Sequence, residues 1–180
     1  MAEQNGKKKG RRAYLQYFTP TLNGYEYTGP ICRCQNPPRE RKRLLWQQGG
    51  CCAVLAAAVV VAGCLPAPGT TNCFYVLLPY LWVLAAVILT CWAFAQLAGG
   101  GEPMRRYVYD KSLLKLPVRL GFTAAGAALT LTGETFYLLI GADDGKPWAA
   151  ALFIACQGGI LAAAFTMRRL CARMRYEAED

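Results

Sequence analysis

The chain has 180 residues, room for about one domain, and is 54% hydrophobic but only 17% charged. Soluble chains are about a quarter charged, and residues 44–98 here contain no Lys, Arg, Asp or Glu, which excludes a water-soluble globule built on that stretch. The chain contains no His, which removes the commonest catalytic base and metal ligand, so its net charge of +9 is the remaining global clue.

Residues 1–43 come first, a basic and aromatic region too polar to hold a large core. Within it, "AYLQYFTPTLNGYEYTGP" places Asn23-Gly24 between two aromatic-rich runs. Asn-Gly is the preferred type I′ turn because both residues tolerate positive φ, so a short β-hairpin is expected. Tyr14, Tyr17, Phe18, Tyr25 and Tyr27 would supply its cross-strand contacts. A lone hairpin is marginal in water and needs a surface to pack on.

A bundle over 44–168 follows, built from runs long enough to cross a bilayer as helices. They cover about 44–65, 74–98, 117–141 and 147–167, separated by "PAPGTTN", "GGGEPM" and "GADDGKP", all strong breakers. In lipid only a helix or a closed barrel satisfies its own backbone, and these runs lack the alternation of barrel strands. Arg119 lies near enough to the end of the third run to snorkel outward. Residues 169–180 form a tail. The segment "EPMRRYVYDKSLLKLPVRL" between the second and third runs is read as a basic loop that sets topology, with a short interfacial helix as the alternative.

The basic residues fix an orientation. All 20 Lys and Arg except Lys146 lie before the first run, between the second and third, at the start of the third (Arg119), or after the fourth. Both termini are therefore expected in the cytoplasm. The same rule accounts for the positive charge without a nucleic-acid partner. The expected fold is an all-α integral membrane protein with four transmembrane helices, N-in/C-in. Its short outer loops and Ala-rich spans suit a bacterial plasma membrane.

Glu134 is the acid inside an apolar run. A bare charge near mid-bilayer costs about 3 kcal/mol, so Glu134 should face protein or water, or carry a proton. Gly126, Thr130 and Glu134 recur every four residues and share one helix face. This small, polar stripe is expected to face the bundle, with Thr hydroxyls bonding across helices. Gln157 on the fourth run lies at a similar depth and is the expected partner of Glu134. The opposite side of that run reads Ala151, Ala155, Gly159 and Ala163, a small-xxx-small seam for the first span or a second subunit.

Nine cysteines need separate readings. Cys64 and Cys73 flank the first outer loop at a closable spacing in an oxidising compartment, so they are the candidate disulfide. Cys32 and Cys34 ("CRC") and the vicinal Cys51-Cys52 are weak candidates for a soft metal. A structural zinc site needs four ligands, and buried Cys also serves as a small apolar residue, so no metal is expected. No C-x-x-C pair is present.

No nucleophile–base pair or phosphate loop is present, so neither catalysis nor a cofactor is expected. The expected partners are the bilayer and other membrane subunits, or further copies of the chain. The function that follows is a non-catalytic subunit or scaffold of a membrane complex. The alternative is a small proton-, cation- or metal-linked transporter using Glu134.

Overall fold

A computed structural model describes residues 17–21, 24–101, 103–140 and 147–179. The chain is mostly helical. Helix α1 spans Pro38–Cys64, α2 is the short Pro68–Asn72, and α3 spans Phe74–Gly99. After α4 (Arg106–Lys111) come α5 (Leu116–Leu139) and α6 (Pro147–Arg173). α1, α3 and α6 are long and apolar enough to cross a membrane. α5 has 24 residues, also enough length, but Glu134 and its four Thr and three Gly residues lower its hydropathy.

The helix ends follow local chemistry. α1 begins six residues before its apolar run. Pro38 at the first turn lacks only an N–H that would be orphaned there, and the Arg, Glu and Lys that follow are good helix formers. Glu40 in that turn complements the positive end of the helix dipole. α3 closes into Gly100 and Gly101, and Gly101 takes a positive φ of 62° that favours glycine. α6 runs past its apolar segment to Arg173, whose charge suits a helix C-terminus.

The four long helices close a ring in chain order: α1 packs on α3, α3 on α5, α5 on α6 and α6 on α1. Leu55, Val59, Val83, Val87, Leu120 and Ile160 fill the centre. Only 28%, 28% and 39% of the apolar windows of α1, α3 and α6 is buried, so most of their apolar surface faces outward, as lipid contact requires. Trp82, Trp92, Phe122, Leu129 and Phe165 are among the exposed side chains.

Two small sheets complete the chain. β1 (Phe18–Thr21) and β2 (Gly24–Tyr27) form the hairpin, with Phe18 opposite Tyr27 and Thr21 opposite Gly24. Gly24 is thus the first residue of β2; Asn23 and Tyr14 lie outside the described residues. Tyr17 and Phe18 pack on Tyr27 with ring centroids 6.3 and 5.4 Å apart, whereas Tyr25 is exposed. The hairpin rests on its neighbours, as a marginal element must. The Tyr27 hydroxyl donates to the Pro30 carbonyl at 3.0 Å, and the Arg105 guanidinium sits 5.3 Å above the Tyr27 ring.

The second sheet has the order β4-β3-β5, with β3 at Ile31–Cys34, β4 at Met104–Arg105 and β5 at Tyr176–Glu179. Both pairings are antiparallel: Cys32 sits opposite Met104 on one side and Ala178 on the other. This sheet was not expected from sequence. It gathers the segment before α1, the α3–α5 connection and the segment after α6 at one end of the bundle. The Asn36 side chain accepts from the Arg175 N–H at 3.0 Å and donates to the Arg173 carbonyl at 3.3 Å. Gln35 donates to Glu177. Cys32 and Met104 are buried beneath the sheet. Burial pushes the Cys32 thiol and the Tyr176 phenol above their usual ranges, against the nearby charges of Arg106 and Arg41 respectively.

Candidate functional site

At the opposite end of the bundle, α2 lies against α3 and α5, and Glu134 is buried beneath it. The Gly69 N–H donates to Glu134 Oε1 at 3.4 Å. Gly69 is required by this close approach, since a Cβ there would lie 2.9 Å from Glu134 Cδ. One turn further along α5, the Tyr137 hydroxyl accepts from Asn72 Nδ2 at 3.3 Å. Tyr75 and Phe136 stack edge-on at 6.4 Å beside them.

The Gly126–Thr130–Glu134 stripe faces inward as expected, and Thr123 and Ala127 beside it are buried too. The glycine lets α3 come close: a Cβ on Gly126 would meet Val83 Cγ2 at 2.9 Å. Among the described residues, these threonines bond within their own helix and not across helices. Thr130 donates to the Gly126 carbonyl at 2.9 Å and Thr123 to the Arg119 carbonyl at 3.0 Å, each one turn back on α5. That acceptor lies within reach of any helical Thr, so it wins over a neighbouring helix. Arg119 also departs from expectation: its Nη1 donates to the Leu89 carbonyl of α3 at 2.8 Å.

Gln157 does not hydrogen-bond Glu134. It is fully buried, yet neither its Nε2 nor its Oε1 has a partner among the described residues, and Glu134 Oε2 is likewise unpartnered. Glu134 instead meets the backbone of the α1–α3 connection.

The α6 seam points largely outward. Ala151 and Ala155 are exposed, Gly159 is half-buried, and Ala163 alone is buried. A Cβ on Gly159 would meet nothing within 4 Å. α6 packs on α1 with a different face, which carries Ile160, Ala164 and Met167.

All nine cysteines carry free thiols. Cys64 is exposed at the end of α1, and Cys73, half-buried, immediately precedes α3. Cys32 and Cys34 belong to β3, so only the first is buried. Cys51 is half-buried and Cys52 points into the core. Among the described residues no three His, Cys, Asp or Glu side chains converge as metal ligands. Sequence reasoning missed Gly69, which read only as a loop breaker. It also missed Gln48 of α1, fully buried against Cys171 and Met174 of α6. An uncharged polar residue inside a span was the available signal for Gln48; nothing marked Gly69.

No family model matches the chain, and no curated protein or solved structure proves similar to it.

Proposed function

We propose that the chain is a four-span plasma-membrane protein of bacterial type, with both termini in the cytoplasm, that serves as a non-catalytic subunit or scaffold. The topology is supported by the β4-β3-β5 sheet. Three segments that precede α1, link α3 to α5 and follow α6 meet at one end, so each helix pair between them makes a full return trip. α5 therefore crosses with the others despite its lower hydropathy, its polar groups turned inward. The basic residues of those segments mark that end as cytoplasmic.

The subunit role rests on one observation: α6 leaves three of its four seam positions outside its own bundle. Small residues let helices approach closely, and in lipid that contact, rather than apolar burial, drives association. The cytoplasmic sheet and hairpin provide a second docking element. Gly159→Leu and Ala155→Leu place bulk where the chain itself has space, so each variant should stay folded while its assembly disperses. Native purification with mass spectrometry measures this. A wild-type chain that purifies as a lone monomer, or an assembly that both variants leave intact, overturns the subunit reading.

A second reading, coupling of proton or cation transport to Glu134, is favoured by the three unpartnered buried atoms on Glu134 and Gln157. Glu134→Gln separates the two. A scaffold keeps its assembly and function, because the amide oxygen still accepts from Gly69. A transporter stays folded and loses ion-dependent flux in proteoliposomes.

A further inference from the structure

Sulfur is concentrated at the sheet end of the bundle. Cys52 Sγ of α1 lies 3.9 Å from Met167 Sδ of α6. Cys91 of α3 joins them: its thiol donates to the Cys52 carbonyl at 3.9 Å. One turn nearer the sheet, Gln48 Nε2 reaches Met174 Sδ at 3.3 Å and Cys171 Sγ at 3.7 Å. Met167, Cys171 and Met174 follow an i, i+4, i+7 pattern on one face of α6, opposite Gln48 and Cys52 of α1. All of these are buried except Cys91, which is half-buried. Gln48 Oε1 has no hydrogen-bond partner among the described residues.

From this geometry we infer a binding site for a soft monovalent cation, Cu(I), held by Cys52, Cys91 and Met167. Metal–sulfur bonds of about 2.3 Å arranged trigonally put the sulfurs about 4 Å apart, close to the Cys52–Met167 separation. The donors decide the ion. Hard cations take oxygen ligands, and structural zinc takes four nitrogen or sulfur ligands. Two thiolates and a thioether suit Cu(I). Cysteine binds metal as the thiolate, so loading the site releases two protons to solvent, one from Cys52 and one from Cys91.

An access route lies at the same end. A cavity of about 250 Å³ is lined by Tyr109, Leu113, Pro117, Arg168, Cys171 and Met174. Cys171 and Met174 line this cavity and lie one and two turns beyond Met167 of α6, so the cavity reaches the sulfur-bearing face of that helix. The inference is independent of the scaffold reading, which concerns the outer face of α6.

Full-length protein in lipid nanodiscs, under anaerobic reducing conditions, tests it by competition for Cu(I) with a chromogenic Cu(I) chelator. One equivalent per chain should leave the chelator, and X-ray absorption should show a sulfur-only shell at about 2.3 Å. Losing an outer-shell partner of a metal ligand costs about 10–100-fold in affinity, so Cys52→Ser and Met167→Leu should each weaken binding at least tenfold. Leu conserves the volume of Met, so Met167→Leu stands as the test even where Cys52→Ser fails to fold. Cys64→Ser at the other end should bind as the wild type does. The inference is overturned by a chain that takes no Cu(I), by uptake unchanged in Met167→Leu, or by uptake that disappears with Cys32→Ser.

Discussion

Gly69→Ala should lower the stability of the folded bundle by about 1–2 kcal/mol. Overpacking a tight site costs about 1–3 kcal/mol, and Ala returns up to about 1 kcal/mol of helix propensity in α2. The new Cβ would sit 2.9 Å from Glu134 Cδ. Glu134 has a flexible side chain, but it is fully buried, and moving its carboxylate withdraws Oε1 from the Gly69 N–H. The loss is read from the unfolding midpoint of the micelle-embedded protein in an SDS titration. Glu134→Ala removes the obstacle, so Gly69→Ala should cost much less in that background. Equal losses in both backgrounds would place the damage elsewhere and end the account of Gly69 as the seat of Glu134.

Gly126→Leu should be more severe, about 3 kcal/mol, at the upper end of the overpacking range. The first added carbon already meets Val83 Cγ2 at 2.9 Å. Val83 is fully buried and β-branched, so it has no rotamer into which to retreat. Gly121→Leu on the same helix is the control, since a Cβ there meets nothing within 4 Å. The control should unfold at or above the wild-type midpoint. Similar losses at both positions would mean that α5 tolerates bulk on neither face, and the close α3–α5 approach would not be the cause.

The long helices were legible because an apolar run is a strong and local signal. Their ends were less so: Arg39 to Arg43 are helical through intrinsic propensity, which hydropathy does not see. The inward stripe on α5 was legible from its four-residue period. The partner of Glu134 was not. Gln157 lies at equal depth, but depth along two helices says nothing about whether their side chains point at each other. The actual donor, a backbone N–H of Gly69, leaves no trace in side-chain chemistry. Sheet β4-β3-β5 was illegible for a related reason. Its strands are two to four residues long, too short for periodicity to register, and each pairs with a segment far away in sequence. The α6 seam was visible as a pattern, but a pattern does not reveal which face the bundle will use.

The central strand of that sheet carries a consequence for how the protein is made. β3 emerges from the ribosome before any helix, yet its partner β5 is synthesised only after α6. Throughout membrane insertion both edges of β3 stand open at first, and one still waits after β4 has arrived. An open edge is a template for wrong pairing. The long separation also makes closure slow, because the chain entropy of bringing distant segments together comes before any reward. The last strand thus acts as a clasp, closing the sheet end of the bundle only when all the helices are in place.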